Sequence, residues 1–380
     1  MIFQKPDLGS RDLEIVGQIE GLKKTLRFST ASAPRRWFGL LRRSVLAKNI
    51  RMSNSIEGYE VSKDDALAIV EGTEPSVESS VEAIRANISY SRAMTYVLQL
   101  TEDPTFAYSI DLIKSLHYMM MEHDMVKSPG IIRPGSINVY DTEKKMVVYE
   151  GPDAEMLPGL LKELVDGLNA TPKDVPAIIS AAMGHLNLVM IHPFRDGNGR
   201  ISRCLQTLIL AQDKSALDPI FVSIESYLGH PEHTRRYYDV LQEAGGHKWN
   251  PEMSALPWIQ FCLESHYIQA QVLMRLINNM GRLYEKLVAE IKAAQLPERS
   301  VAALMDAARK IQVRNAMYRA QADGVSEQIA SRDLKDLVEK GFLVSHGTAR
   351  GRYYEASEKV MEIKDEVWDR KRVESPYATS

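Results

Sequence analysis

The stretch His192-Pro-Phe-Arg-Asp-Gly-Asn-Gly-Arg-Ile-Ser-Arg203 decides both the fold and the site of this chain. It lies between two strongly apolar segments that repeat with the period of a buried α-helix, so it predicts a short loop running into a helix N-terminus. Backbone N–H groups at such a terminus, and the positive end of the helix dipole, favour an anion, typically phosphate. Gly197 and Gly199 permit positive φ and a close backbone approach. The stretch therefore predicts a phosphate-binding turn.

The polar side chains of this loop suit the chemistry of a polyphosphate. Arg200 and Arg203 are three residues apart at the helix start, so they share a face and can both reach such a ligand. Asp196 offers the carboxylate that a magnesium ion bridging phosphates usually needs. His192 carries an imidazole that can take a proton from an attacking hydroxyl. Each residue alone is ordinarily structural, but their concentration within twelve residues predicts a functional site.

The same residues match the signature His-x-Phe-x-[Asp/Glu]-Gly-Asn-Gly-Arg-x-x-Arg at every fixed position, so the chain resembles the Fic family. The resemblance implies an all-helical core that transfers AMP from ATP, with Mg²⁺, to a hydroxyl side chain of a target protein, or of the chain itself. It implies that His192 is the base and that Asp196 holds Mg²⁺. The nucleotide-binding residues that it implies are Asp196, Gly197, Asn198 and Gly199 around the anion hole, and Arg200 and Arg203 on the β- and γ-phosphates. The related Doc proteins, which phosphorylate, carry Lys where this chain has Gly199, so the resemblance favours AMP transfer.

A second segment, Ser53-Asn-Ser-Ile-Glu57-Gly58, lies at the end of a predicted helix. Ser53 and Glu57 are four residues apart and share one helical face. Glu57 falls in the last turn, where the dipole disfavours an anion, so either a cation meets it from elsewhere or it is an exposed acid beside a capping glycine. The segment resembles the inhibitory pattern [Ser/Thr]-x-x-x-Glu-[Gly/Asn] of the Fic family. That resemblance implies that Glu57 pairs with Arg200 and hinders productive ATP binding.

Two short β-rich runs around a charged turn, Ser136–Tyr140 and Met146–Tyr149, predict a β-hairpin. In Fic proteins the matching flap lies over the active site and adds a strand to an extended target segment, whereas a simple surface hairpin is the alternative. The resemblance places Ile137 and Val139 at the relevant flap positions. Arg133, upstream of the flap, resembles the arginine that family members carry there.

Two aromatic residues complete the expected nucleotide site. Tyr237 and Tyr238 resemble the pair that contacts adenine in Fic proteins, with ordinary core packing as the alternative. Gly245 stands where many relatives carry Asn, so one nucleotide contact of the family is expected to be missing.

Helical periodicity dominates the chain, and the predicted fold class is mainly α: a Fic helical core with a β-hairpin flap, plus a C-terminal winged-helix domain. In that last domain Arg332 and Lys335, with Arg350 and Arg352 on the wing, could contact DNA phosphates. Acidic neighbours dilute this charge, so a protein contact or scaffolding role is favoured over DNA binding. The predicted domains are 1–110 for an N-terminal helical region with the inhibitory helix, 111–265 for the Fic core, 266–297 for a linker helix, 298–358 for the winged helix-turn-helix domain and 359–380 for a C-terminal tail.

Length and composition bound the remaining properties. A chain of 380 residues that is 44% hydrophobic and 26% charged is typical of a globular protein with two or three domains. A net charge of −3 argues against a nucleic-acid coat. Cys204 and Cys262 give neither zinc spacing nor a disulfide framework, and no run of about 18 apolar residues occurs, so we expect a cytoplasmic protein with no membrane partner. Fic proteins often form homodimers, although no residue here establishes one.

The leading hypothesis is an autoinhibited protein adenylyltransferase that depends on ATP and Mg²⁺. The same scaffold could instead remove AMP, with Glu57 positioning water, or use another nucleotide donor. An interpretation from a different class is a DNA-binding regulator whose Fic core senses nucleotide. The residues do not fix which phosphorus is attacked, and only the family resemblance points to the α-phosphate.

Overall fold

The structure, a computed structural model, describes residues 1–31, 35–75, 79–141, 145–171, 175–213, 219–322, 324–348 and 351–378. Within these ranges the chain forms fifteen α-helices and two separate two-stranded antiparallel sheets, so the predicted mainly α class is confirmed. The helices are α1 (Ser10–Ala31), α2 (Arg35–Ser55), α3 (Lys63–Glu71), α4 (Val81–Leu100), α5 (Ile110–Met121), α6 (Leu157–Asn169), α7 (Ala177–Ile191), α8 (Asn198–Ala211), α9 (Glu225–Leu228), α10 (Pro231–Gly245), α11 (Leu256–Ala293), α12 (Val301–Ala308), α13 (Asn315–Gln321), α14 (Glu327–Glu339) and α15 (Glu358–Val367). The strands are β1 (Asn138–Asp141), β2 (Met146–Glu150), β3 (Leu343–His346) and β4 (Tyr353–Ala356).

Helices α7 and α8 form the centre of the fold. Residues 181–191 of α7 and 200–211 of α8 are all buried, which is typical of helices covered on every side. A Cβ on Gly184 would lie 2.5 Å from the Cδ1 of Ile209, so the missing side chain lets the two helices pack closely. The loop between them is therefore held at both ends by buried helices.

Serine caps begin several of these helices. The Ser62 side chain accepts a hydrogen bond from the Asp65 N–H, and the Ser326 side chain does the same for the Ile329 N–H. Each such bond satisfies one N–H group that the first turn leaves unpaired, and is worth about 1 kcal/mol. Ser80 at the start of α4 follows the same rule.

The longest helix, α11, has 38 residues and runs without a break across the predicted boundary at residue 265. Helix α1 packs along it. The sequence analysis did not identify α1 as an element, although Ile15, Ile19 and Leu26 are buried at helical spacing. This pairing connects the N-terminal region to the core.

The predicted hairpin is formed by β1 and β2. Asn138 pairs with Glu150, Val139 with Tyr149, and a β-bulge lies between Val139 and Tyr140. Residues 142–144 of its turn lie outside the described residues. The end of β2 is tied to the core, because the Glu150 N–H donates to the His247 carbonyl at 2.9 Å. The hairpin therefore stands at a fixed place beside α10.

The C-terminal unit has the predicted order of helices followed by a hairpin, with α12, α13 and α14 leading to β3 and β4. Its identity as a winged helix stays a prediction, and Arg350 lies outside the described residues. The unit packs on α2 and α3: Arg309 Nη1 donates to Ser44 Oγ at 2.6 Å, and the Gln312 N–H donates to Asp64 Oδ1 at 3.0 Å.

The predicted C-terminal tail at 359–380 is corrected by the structure. Most of its first half lies in α15, which packs on α11. Beyond the helix, Asn279 and Asp369 exchange hydrogen bonds at 2.9 and 3.0 Å, and Tyr377 Oη donates to Asp12 Oδ1 at 2.8 Å. The segment returns to α1 because these polar contacts and the apolar side of α15 hold it there.

Two further features concern the whole chain. Cys204 and Cys262 are buried free thiols. None of the helices in the described ranges combines the length and the apolar character needed to cross a membrane.

Candidate active site

The loop between α7 and α8 has an unusual backbone at both ends. His192 ends α7 in the left-handed region, with φ 49° and ψ 58°, which is uncommon for a residue with a side chain. Gly197 precedes α8 with φ 77°, a conformation that glycine adopts freely. These two positions turn the chain sharply, so the first N–H groups of α8 face the end of α7.

Asn198 and Phe194 lock the loop between these ends. Asn198 Oδ1 accepts the Phe194 N–H at 3.0 Å and its Nδ2 donates to the Phe194 carbonyl at 2.8 Å. The Phe194 ring is buried and stacks on His117 with centroids 3.7 Å apart. His117 joins two segments, since its Nε2 bonds the Asp196 carbonyl at 2.9 Å and its Nδ1 accepts the Gly130 N–H at 2.8 Å. Asn198 thus shapes the anion hole from behind.

His117 was missed by the sequence analysis. It lies on α5 at helical spacing from Ile113 and Met120, both buried, which reads as an ordinary core position. Burial lowers its pKa to about 4, so the imidazole stays neutral and keeps one N–H donor and one acceptor for its two partners.

His192 has the properties of a neutral base. Its Nδ1 lies 3.0 Å from the Val189 carbonyl, and because a carbonyl only accepts, Nδ1 carries the proton and Nε2 carries the lone pair. Burial lowers the pKa of His192 to about 4, although the Val189 hydrogen bond acts in the opposite direction. The imidazole is therefore unprotonated at neutral pH and can accept a proton at Nε2.

Arg133 fixes the His192 backbone and ties it to the flap. Its Nε donates to the His192 carbonyl at 2.8 Å, and its Nη2 donates to the Pro152 carbonyl at 2.6 Å. Ile137 lies close to the same place, because a Cβ on Gly151 would stand 2.8 Å from Ile137 Cγ2 and 3.8 Å from His192 Cβ. The structure thus brings the start of the flap next to the histidine.

Val139, two residues after Ile137, lies in strand β1 of the flap. It pairs with Tyr149, whose hydroxyl donates to the Met190 carbonyl at 2.6 Å near the end of α7. The hairpin is therefore anchored to the helix that carries the histidine, while Val139 itself is partly exposed.

Asp196 presents its carboxylate at the mouth of the loop. Oδ1 accepts the Gly197 N–H at 2.6 Å, and Oδ2 lies 3.4 Å from Lys127 Nζ. Among the described residues, no group of three or more His, Cys, Asp and Glu side chains could hold a metal alone. Mg²⁺ commonly binds one or two carboxylates together with substrate phosphates and water. The single partly exposed carboxylate of Asp196 fits an ion that arrives with a nucleotide.

Arg200 is a buried cation that lacks a hydrogen-bond partner. It is 1% exposed, and within the described part of the chain none of its three side-chain nitrogens makes a hydrogen bond. Its guanidinium lies over the Tyr59 ring, 5.0 Å from the centroid, and Nη2 is 3.8 Å from Asp196 Oδ1. A buried guanidinium without hydrogen bonds is costly, so its environment is incomplete without an anion.

The predicted partner of Glu57 is wrong. Glu57 does not pair with Arg200; its Oε1 accepts from Arg203 Nη2 at 2.8 Å. The reason is geometric: the last turn of α2 lies over Arg203, while Tyr59, just past the turn at Gly58, lies under Arg200. Burial alone would lower the pKa of Arg203, but the Glu57 carboxylate raises it, so the guanidinium keeps its charge.

Ser53 belongs to the same contact. Its hydroxyl accepts from Arg203 Nε at 2.9 Å, and its carbonyl accepts from Arg203 Nη2 at 3.0 Å. Glu57 also covers the glycine turn, because a Cβ on Gly199 would lie 2.7 Å from Glu57 Oε1. The Glu57 carboxylate, two residues past the end of α2, therefore lies where the turn would receive an anion.

The two tyrosines differ in position. Tyr237 is buried behind the site, where it hydrogen-bonds His185 Nε2 at 3.1 Å, and burial raises its pKa to about 12. Tyr238 is 48% exposed, and burial of its hydroxyl and the Glu57 carboxylate raise its pKa. Only Tyr238 offers a surface to a ligand, so Tyr237 serves the core. Gly245 is buried against Met190, whose Cε would lie 2.4 Å from an added Cβ.

A buried polar network, which the sequence analysis missed, connects α7, α8 and α11 next to the site. His185 Nδ1 bonds Gln206 Oε1 at 2.6 Å, and Gln206 Nε2 bonds His266 Nε2 at 3.0 Å. Burial lowers the pKa of His185 and of His266 to about 3, so both are neutral. These residues come from three helices distant in sequence, and no local pattern connects them.

Comparison with known proteins places this site in a family. Residues 107–210, which include α7, α8 and the loop between them, match the family model described as Fic/DOC family. The match covers 104 of the 380 residues, so the part of the chain that holds the site is similar to the Fic/DOC family.

Two named relatives carry the same kind of domain. "Protein adenylyltransferase Fic" of Nematostella vectensis is 27% identical over 198 residues, covering 52% of this chain and 43% of the relative. "Protein adenylyltransferase fic-1" of Caenorhabditis elegans is 28% identical over 174 residues, covering 45% and 32%. This chain thus spans less than half the length of either relative.

Solved structures share the fold. A Fic family protein from Desulfovibrio desulfuricans G20 has a TM-score of 0.58 at 21% identity, with 94% of this chain and 99% of that chain covered. A fragment of Fic-1 from Caenorhabditis elegans has a TM-score of 0.53 at 23% identity, covering 69% and 72%. The likeness to the bacterial structure extends over nearly the whole chain, and it confirms the expected Fic fold.

Proposed function

We propose that this chain is an autoinhibited protein adenylyltransferase, which transfers AMP from ATP to a hydroxyl side chain of a target protein. The observation that carries the proposal is the turn at the start of α8, where a neutral imidazole and two buried arginines flank the first backbone N–H groups of the helix. Such a turn suits phosphates. The curated relatives named protein adenylyltransferase support the same activity.

The chemistry follows from the geometry of His192. Its Nε2 takes the proton of the target hydroxyl as that oxygen forms a bond to the α-phosphorus, and pyrophosphate leaves as the bond to the bridging oxygen breaks. Arg200 supplies a buried guanidinium whose N–H groups, among the described residues, have no hydrogen-bond partner and can bind the phosphates. Mg²⁺, held by Asp196 and the phosphates, would neutralise charge on the leaving group. The flap at Ile137 and Val139 would align the target segment next to His192.

Inhibition would come from the contact between α2 and α8. Arg203 Nη2 donates to the Glu57 carboxylate, and the same carboxylate lies over Gly199. A γ-phosphate bound by Arg203 would meet the Glu57 charge, so ATP is excluded or held unproductively. Withdrawal of Glu57 opens the cradle without any change in α8.

The test is the Glu57→Gly variant, incubated with Mg²⁺ and ATP labelled at the α-phosphate. A charge-assisted hydrogen bond is worth about 1.5–3 kcal/mol, so we expect the rate of label transfer to rise about 10- to 100-fold. Glu60→Gly, which removes an exposed carboxylate three residues further on, is the matched control and should leave the rate unchanged.

Two further outcomes separate this reaction from its alternatives. Adding His192→Ala to the Glu57→Gly variant should abolish transfer, and ATP labelled at the γ-phosphate should give no labelled protein. Transfer of the γ-label would show phosphorylation instead. Equal rates for Glu57→Gly and the wild type would contradict the inhibitory role.

A further inference from the structure

Arg203 is held by more than Glu57. Behind it, a row of hydrogen bonds runs through three helices: Arg203 Nε donates to Ser53 Oγ at 2.9 Å, and Ser53 Oγ donates to Tyr90 Oη at 3.0 Å. Tyr90 Oη in turn donates to Glu225 Oε1. Ser53 lies on α2, Tyr90 on α4 and Glu225 at the start of α9, and each of the four side chains is at most 2% exposed.

The direction of this row is fixed at both ends. A guanidinium can only donate, so Ser53 Oγ must accept from Arg203 and has its own hydrogen left for Tyr90. Tyr90 then directs its hydroxyl hydrogen to Glu225, whose carboxylate accepts. This arrangement satisfies each hydroxyl and both of its neighbours, and the Arg203 side chain gains a fixed orientation from it.

The row of hydrogen bonds explains why a buried carboxylate stands at Glu225. It is 1% exposed, and within the described residues no cation lies within ion-pair distance of its carboxylate. A buried carboxylate is costly unless it is paired or hydrogen-bonded. The charge that acts on it electrostatically is that of Arg203, at the other end of the row.

We infer that Tyr90 and Glu225 are positioning residues that hold Arg203 in its phosphate-facing orientation through Ser53. This inference rests on the proposed function, because it assumes that Arg203 binds ATP. Glu57 and the row contact different parts of the guanidinium: the row takes Nε, and Glu57 takes Nη2. Removal of Glu57 thus frees one N–H of Nη2 for a phosphate, while the Ser53 carbonyl keeps its hydrogen bond from Nη2 and the row still orients the group.

The test compares ATP kinetics in the Glu57→Gly background. Tyr90→Phe keeps the ring and removes the hydroxyl that links Ser53 to Glu225. We expect the KM for ATP to rise about tenfold while kcat changes less than about twofold, because ground-state binding of the phosphates is lost. Tyr318→Phe is the matched control: Tyr318 is also buried and donates to a carboxylate, Asp333 Oδ2 at 3.0 Å, but in the C-terminal unit. It should leave KM unchanged.

Substitutions of Glu225 supply a second measurement. Glu225→Gln retains an oxygen that accepts from Tyr90 and should keep KM within about threefold of the Glu57→Gly parent, whereas Glu225→Leu should match Tyr90→Phe. Equal impairment by Gln and Leu would overturn the inference, since charge and not the acceptor would then matter. An unchanged KM in Tyr90→Phe would overturn it and leave the proposed function standing. Failure of Glu57→Gly itself to bind ATP or transfer AMP would overturn the proposed function, and the inference with it.

Discussion

His192 combines a left-handed backbone with a buried imidazole, and the two properties act together. The positive φ of 49° points its carbonyl at Arg133 and its Nδ1 at the end of α7. The resulting hydrogen bonds fix the tautomer and the ring orientation, which leaves Nε2 as the acceptor. Backbone strain of this kind, of order 1–3 kcal/mol, is often found at sites where a side chain must be held in one orientation.

The pH dependence of transfer should reflect this environment. The pKa of His192 is lowered from 6.5 to about 4, so the unprotonated base persists until the pH approaches 4 and is lost only below that value. We expect the transfer rate of Glu57→Gly, at saturating ATP, to show no acid limb near pH 6.5 that depends on His192. An NMR titration of the His192 imidazole checks this, and a midpoint near 6.5 would contradict it.

At the scale of residues, the sequence revealed those site residues that are neighbours in the chain. The residues of the 192–203 loop are adjacent in the chain, so their chemistry could be recognised together. The choice between Arg200 and Arg203 as the partner of Glu57 depends on how α2 crosses α8, which spacing within either segment does not determine. Glu225 and His117 act across distant helices and left no local signal.

At the scale of elements, α2 is the part of the fold on which the proposed inhibition depends. It contacts α8 through Ser53, and Glu57 contacts α8 from the turn that follows it. It also meets the end of α9 at a very close approach. A Cβ on Gly229 would lie 2.6 Å from the Met52 carbonyl oxygen and 2.9 Å from Met52 Cα. Because both contacts are with backbone, α2 has no flexible side chain there to move aside.

Gly229→Ala should therefore displace α2. The φ of Gly229 is −74°, which alanine adopts without strain, so the effect is purely steric. We expect a loss of about 1–3 kcal/mol in the free energy of unfolding and a higher rate of AMP transfer, since Glu57 moves with the helix. Chemical denaturation and the α-label assay measure the two effects.

Gly281→Ala is the control for this substitution. Nothing lies within 4 Å of the Cβ that it adds to α11, so alanine should be neutral or stabilising by about 0.5–1 kcal/mol. If Gly229→Ala were equally harmless and no more active than wild type, the close contact between α2 and α9 would have no influence on Glu57.

The helices and strands were predictable where hydrophobic periodicity agreed with the turn residues and helix caps at their ends. The hairpin and most helices followed from periodicity, turn residues and caps such as Ser62. Helix α1 was missed because Gly17 and Gly21 lie in its interior, and glycine costs about 1 kcal/mol there relative to alanine. Its contact with α11 outweighs that cost. Helix α15 was missed because a short polar segment gains its order only from the surface on which it packs.

At the scale of the whole molecule, the C-terminal unit supports the segment that we propose to be inhibitory. Ile311 and Met317 form an apolar cluster with residues that flank the turn after α2, among them Ala47, Val61 and Leu67. Arg309 adds a hydrogen bond to Ser44 on α2 itself. The position of Glu57 therefore depends on a domain whose attachment no sequence pattern indicated, because the contact joins segments about 250 residues apart.

Ile311→Ala should loosen this attachment. Ile311 is 6% exposed, and truncation of a buried isoleucine costs about 2 kcal/mol or more. We expect faster hydrogen exchange of the backbone amides in α2 and α3. Val344→Ala, at a position of the same unit that is 45% exposed, should have no such effect. Exchange in α2 that is identical in both variants would show that the unit does not restrain this helix.

The most direct test of the whole account is a crystal structure of the Glu57→Gly variant with Mg²⁺ and an ATP analogue that cannot be cleaved. The account predicts a triphosphate on the N–H groups of Gly197–Gly199, the Arg203 guanidinium on a phosphate oxygen, and His192 Nε2 facing the α-phosphorus. A vacant turn, or an imidazole directed away from the nucleotide, would contradict it.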